Sequence, residues 1–173
     1  MFPFHSPEDR FNDECAVFGV YGTNEASVLT ALGLHALQHR GQEATGIISY
    51  DGDTFHAHRG LGLVGKNFGA RKNHLQTLVG HAAIGHNRYS TTGKPDLQNI
   101  QPFLAELAFG GFSLAHNGNL TNADRLRQSL VNTGSLMQST TDTEVIIHLV
   151  ARSHQDTASE RLVDALKQIE GAY

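Results

Sequence analysis

The chain has a single cysteine, Cys15, among 173 residues. No internal disulfide can form, which favours a reducing, cytoplasmic setting. Charge is sparse: 17% of residues are Asp, Glu, Lys or Arg, and 13 basic against 17 acidic side chains give a formal net charge of -4. No run of Lys or Arg offers the phosphate-neutralising stripe of a nucleic-acid surface, so a nucleic-acid partner is not expected. Long apolar runs are missing too, and no stretch approaches the length of a membrane span. The first residues, MFPFHSPEDRFNDE, lack the basic start and apolar block of a secretory signal. Repeats and low-complexity tracts are absent. What remains, with 39% hydrophobic residues, has the composition of one globular domain able to bury a core. The reading is a leader over residues 1–14, flexible or processed, and a domain over residues 15–173.

The hydrophobic pattern predicts the elements. CAVFGVY, rich in Val and Phe and stopped by Gly22, reads as a strand. Thr23-Asn24 can cap a helix whose Val28, Leu29, Leu32 and Leu37 recur at helical spacing, with Gly41 as its stop. Residues 46–50 and 54–59 are short strands joined by Asp51-Gly52, a strong hairpin signal. Residues 82–86 and 111–116 look like buried strands, each running into a polar cluster. Three amphipathic helices follow: one opened by Thr121 or Asn122 and closed by Gly134, burying Leu126 and Leu130, and two with capping-box spacing at Thr141/Glu144 and Thr157/Glu160. Strands and helices do not alternate regularly, which favours α+β over a doubly wound sheet. A further strand can begin at the final Gly-Ala-Tyr, so the domain is expected to be incomplete at its C-terminus.

Four places carry possible chemistry, each with a plain structural alternative. Cys15 is either a small buried hydrophobe or, after cleavage behind Glu14, an N-terminal nucleophile. In that case its own α-amino group, of pKa about 8 in model compounds, can take the thiol proton. The thiolate then attacks an amide carbonyl and, as the C–N bond breaks and the nitrogen leaves, forms a thioester that water opens. Arg88, ending a predicted strand, is either a surface cation or a planar fork for a carboxylate. The loop after it, through Asn99, can close as a lid. Asn117-Gly118 is a turn signal, yet a side-chain amide beside a backbone N–H is also what an oxyanion hole requires. Asp142, placed in the first turn of a helix, complements the helix dipole or holds a substrate ammonium.

Two other patterns lead nowhere. His35/His39 and His56/His58 have metal-ligand spacing, but no Cys or carboxylate completes a tetrahedral set, and no metal site is expected. Gly60, Gly62 and Gly65 match G-x-G-x-x-G, but no apolar helix follows and no acidic residue sits near 20 positions on.

Taken together and in order, ECAVFGVYG, LQHRGQEATGI, GHNRYSTTG, LAHNGNLTN and STTDTEV resemble the class II glutamine amidotransferases, over essentially the whole chain from Glu14. Within that group the resemblance is to the amidophosphoribosyltransferase branch, which opens purine synthesis. Relatives that aminate fructose 6-phosphate carry Arg-Trp-Ala-Thr-His where this chain has Arg88-Tyr89-Ser90-Thr91-Thr92. Asparagine synthetases have His-Arg-Gly-Pro-Asp in place of His39-Arg40-Gly41-Gln42-Glu43. The leader resembles the short propeptide of one branch, and Ala16 departs from the usual Gly.

The resemblance implies a four-layer αββα sandwich of the N-terminal nucleophile hydrolase type. It implies Cys15 as nucleophile, Asn117 and the Gly118 N–H as oxyanion donors, and Arg88 with Thr91 on the α-carboxylate of glutamine. Asp142 is implied on the α-ammonium, with Arg40 and Gly41 in support. The released ammonia would pass to phosphoribosyl pyrophosphate in a phosphoribosyltransferase domain that these residues do not supply. No cofactor is expected within this chain. Mg and, in some relatives, an iron–sulfur cluster belong to the C-terminal part, and the full-length enzyme is expected to be a homo-oligomer. The alternatives are another class II amidotransferase or an unprocessed, inactive fragment.

Overall fold

The computed structural model describes residues 15–89 and 96–173. The expected leader, and Thr91 with the rest of its loop, lie outside the described residues. In chain order the elements are β1 (Ala16–Tyr21), α1 (Ala26–Ala36), β2 (Ala44–Tyr50), β3 (Phe55–Leu61), α2 (Val64–Phe68), α3 (His74–Thr77) and β4 (Ala82–Arg88). They continue with β5 (Phe103–Leu107), β6 (Gly110–Leu114), β7 (Asn119–Leu120), α4 (Ala123–Asn132), α5 (Thr143–Arg152), α6 (Ala158–Leu166) and β8 (Gly171–Ala172).

Four strands form an antiparallel sheet in the order β1-β4-β2-β3. The register pairs Ala16 with Asn87 and Ala44 with Arg88, so the start of β1, the start of β2 and the end of β4 meet at one edge. Helices α1 and α2 cover one face, burying Leu34, Ile47, Val64, Phe68 and Leu78 together. The β5–β6 hairpin lies over the other face, where Gly111 packs onto the Phe55 ring. Helices α4, α5 and α6 cover the hairpin's far side, and Val145, Ile146, Leu149 and Val150 of α5 join Leu114 and Phe112 in a second cluster. The layers run helix, sheet, sheet, helix, as expected. Each fully buried Leu, Ile or Val contributes about 1.5–3 kcal/mol, so the two clusters dominate the stability.

Covered on both faces, β2 is buried from Ala44 to Ser49. Gly46 makes this possible. A Cβ there would sit 2.3 Å from the Gln101 carbonyl oxygen, so only glycine lets the segment before β5 cross the sheet.

Several expectations need correction. Val28, Leu29 and Leu32 do not face the core: they are 41%, 40% and 60% exposed, while Ala26, Ser27, Thr30, Ala31 and Leu34 are buried. The sheet lies close under α1 and accepts small side chains, so the most hydrophobic stripe is not the buried one. The Asp51-Gly52 connection is a four-residue loop in which the Asp51 carboxylate accepts from the Asp53 and Thr54 N–H groups. The Thr157/Glu160 capping box forms. Its counterpart at Thr141 does not, because the Glu144 carboxylate turns back to accept from the Gln138 and Ser139 N–H groups at 2.7 and 2.8 Å. Strand β5 and the short helices α2 and α3 had no expectation. The final Gly-Ala-Tyr does enter a strand: β8 pairs with β7.

Candidate active site

The edge where β1 begins and β4 ends opens into a cavity of about 810 Å³. Cys15, Arg88, Gly118 and Asp142 all line it, although they are far apart in sequence. Cys15 stands just before β1, held on the end of β4: the Tyr89 N–H donates to Sγ at 3.4 Å, and Sγ lies 3.6 Å from the Tyr89 carbonyl. The Arg40 Nε–H donates to the Cys15 carbonyl at 3.4 Å, and Gly41 is buried against the main chain of Asn87. Arg40 and Gly41 therefore brace the backbone at Cys15 and the end of β4.

Arg88 is positioned from two sides. Its Nη1 donates to the Asn99 carbonyl at 2.8 Å, and Glu43 Oε2 lies 3.5 Å from Nε. Asn99 is locked in turn by a reciprocal pair, donating to Thr140 Oγ1 at 2.8 Å and accepting from the Thr140 N–H at 2.9 Å. The guanidinium thus has a fixed place with donors left over for an anion.

Asp142 sits immediately before α5, as its cap residue and not in its first turn, and makes no capping bond. Its Oδ2 accepts from the Leu120 N–H at 2.9 Å. Gly118 lines the cavity, whereas Asn117 is half-buried beside it and outside the cavity walls. Gly118 is pressed between β8 and a histidine: a Cβ there would lie 2.1 Å from the Ala172 carbonyl oxygen and 2.8 Å from His116 Nε2.

Sequence reasoning missed a layer of buried polar residues behind these groups. The His116 N–H donates to Gln101 Oε1 at 2.7 Å, and Gln101 Nε2 donates to Thr143 Oγ1 at 3.0 Å. His116 Nε2 faces the Ala172 carbonyl at 3.2 Å. A carbonyl only accepts, so Nε2 is the donor there, and Nδ1 lies 3.3 Å from Thr143 Oγ1. Arg127 donates to the Ser139 and Thr141 carbonyls, shaping the loop that delivers Asp142. His86, on β4 two residues before Arg88, is 1% exposed and also lines the cavity. Burial, reinforced by Arg88 and then His116, pushes its pKa down to about 3, so the ring is neutral. The sign of these residues in the sequence was slight, since polar side chains inside apolar runs look like strand ends.

The His56/His58 pair has other contacts. His56 Nε2 lies 2.8 Å from Asp51 Oδ2, and His58 stacks on His74 with ring centroids 3.6 Å apart. Among the described residues no group of three His, Cys, Asp or Glu side chains converges, and no helix is long and apolar enough to cross a membrane.

A cation, an anion, a thiol and a backbone N–H around one cavity suit a zwitterionic amino acid with a reactive carbonyl in its side chain. Comparison with known proteins points the same way. The family described as "Glutamine amidotransferase domain" matches residues 86–173. A protein of Rhizobium etli named amidophosphoribosyltransferase is 51% identical over 99% of this chain and 35% of its own length. One of Lacticaseibacillus casei with the same name is 46% identical over 98% of this chain and 86% of its own. Among solved structures, one titled as the allosteric regulatory enzyme of purine biosynthesis superposes with a TM-score of 0.86 at 45% identity, covering 91% of this chain and 34% of that one. A glutamine phosphoribosylpyrophosphate amidotransferase from B. subtilis, complexed with ADP and GMP, gives 0.82 at 44% identity, covering 90% and 33%. The chain spans about a third of the length of the first of these relatives.

Proposed function

This chain belongs to the amidophosphoribosyltransferase family of glutamine amidotransferases, with the N-terminal nucleophile hydrolase fold, and on that premise we propose that it performs the glutaminase half-reaction of such an enzyme. The observation that carries the proposal is the convergence of Cys15, Arg88, Gly118 and Asp142 on one cavity.

In this reading removal of residues 1–14 frees the α-amino group of Cys15. That amine accepts the thiol proton, and the thiolate attacks the side-chain carbonyl of glutamine. The Gly118 N–H and the Asn117 side-chain amide, once turned inward, hold the oxyanion. The C–N bond breaks, the α-amino group returns the proton to the leaving nitrogen, and ammonia departs from a thioester on Cys15. Water then opens the thioester to glutamate and restores the thiol. Arg88, with Thr91, binds the α-carboxylate, and Asp142 binds the α-ammonium, so the amino acid is oriented with its amide over sulfur.

The ammonia is destined for phosphoribosyl pyrophosphate in a phosphoribosyltransferase domain, the first committed step of purine synthesis. The length of the relatives supports such a domain, and the single cysteine supports a cytoplasmic, reducing location. We assign the full enzyme a homo-oligomeric state on the family's pattern. The residues here do not fit an iron–sulfur cluster, because their one thiol lies in the nucleophile's place, and no step runs through a metal.

Intact mass before and after incubation with an electrophilic glutamine analogue tests the proposal. Expected are loss of residues 1–14 and one covalent adduct per chain, abolished by Cys15→Ser. A full-length, unlabelled chain refutes it.

A further inference from the structure

Among the described buried polar side chains of the cavity wall, His86 has neither a task in the proposed reaction nor a hydrogen-bond partner for its ring. Neither ring nitrogen has a hydrogen-bond partner of normal geometry among the described residues, although the side chain is almost wholly buried. Leaving such groups unpaired is unfavourable, and each calls for an explanation. The ring lies on the same face of β4 as Arg88, and it borders the cavity that Cys15, Arg88 and Gly118 also line. A neutral imidazole carries its proton on one ring nitrogen and leaves the other a bare acceptor.

We propose that His86 is a specificity-determining residue that tells a primary carboxamide from a carboxylate: its unprotonated ring nitrogen accepts a hydrogen bond from the –NH2 of a bound glutamine side chain. The inference rests on the glutaminase reading and deepens it. A carboxamide brings N–H donors to that lone pair. A side-chain carboxylate, as in the product glutamate, brings only acceptors and meets it with repulsion. Since the ring stays neutral, the lone pair persists, and the site selects substrate over product without any change in its own charge. The same neutrality means that His86 cannot hand a proton to departing ammonia.

The test is calorimetric titration of L-glutamine and of L-glutamate into the whole protein carrying Cys15→Ala, which prevents turnover. It is repeated with His86→Leu and His86→Gln added, and Tm is recorded for each. The expected result for His86→Leu is a loss of about tenfold in glutamine affinity, as for one hydrogen bond, with glutamate affinity unchanged or improved and Tm not lowered. His86→Gln, whose carbonyl oxygen still accepts, should restore most of the preference. His86→Met serves in place of Leu should that variant not fold. Equal weakening of both ligands, or an unchanged glutamine-to-glutamate ratio, overturns the proposal and gives His86 a packing role. If the protein with His86 intact binds neither ligand, the glutaminase reading itself fails, and this inference with it.

Discussion

Acidification should destabilise this protein through His86 well before its carboxylates matter. The ring is buried and neutral, with a pKa pushed down to about 3, whereas an unfolded histidine titrates near 6.5. As pH falls, the unfolded chain therefore takes the proton first. The contribution is fully present above the unfolded value and is lost progressively as pH drops toward the folded one. Between pH 7 and pH 5 the linkage amounts to roughly 2 kcal/mol, a large share of a typical domain's 5–15 kcal/mol. Asp51 and Glu160 also have lowered pKa values, from hydrogen bonds to His56 and to Thr157 respectively, but such carboxylates act below about pH 4. His58 shifts downward by burial and by the neighbouring His74, in the same window as His86. Its contribution persists when His86 is replaced, so a difference measurement removes it. Urea unfolding of the native chain and of His86→Gln at pH 7, 6 and 5 supplies that difference. Each protein is referenced to its own value at pH 7, and the variant should lose about 2 kcal/mol less by pH 5. Parallel pH profiles would falsify the claim that His86 is held neutral by burial.

Two further substitutions probe the frame of the site. Gly118→Ala places a methyl 2.1 Å from the Ala172 carbonyl oxygen, so β8 or the turn must shift. Overpacking of that kind costs about 1–3 kcal/mol, and labelling of Cys15 by the glutamine analogue should slow at least tenfold; normal labelling at normal stability would rule out the tight fit. Thr157→Ala removes the capping box of α6, which accepts from and donates to Glu160. Urea unfolding should show a loss of about 1 kcal/mol with the labelling rate unaffected, and slowed labelling would mean that α6 reaches the site.

The candidate site residues were legible because they are pinned to motifs: Cys15 before an apolar strand, Arg88 at the end of another, Asn-Gly after a third. Even there the structure revises detail, since Asn117 stays outside the cavity walls. The supporting residues were hidden for a physical reason. Gln101, His116 and Thr143 find their partners across 15 to 42 positions of sequence, and no local pattern announces such pairings. Glu144 shows the same failure at short range. Its spacing from Thr141 suits a capping box, but two backbone N–H groups of the preceding loop bind the carboxylate instead. Helix α1 misled through composition: hydrophobicity marked Val28, Leu29 and Leu32, while closeness to the sheet selected Ala26, Ser27, Thr30 and Ala31.

The two hydrophobic clusters have no residue in common. One gathers α1, α2 and the four-stranded sheet; the other gathers the hairpin and α4 to α6. Cys15 and Arg88 belong to the first half, while Gly118 and Asp142 belong to the second. The cavity is therefore a seam, and on the proposed reading an amino acid bound in it is a rivet between two bodies that also meet through packing, such as Gly111 on Phe55, and through polar cross-ties, such as Asn99 with Thr140. Occupancy then stabilises the junction by mass action. On that reading a substitution deep in either cluster reaches the site by altering how squarely the halves meet, which makes their contacts a place where robustness of the fold and competence of the site become one quantity.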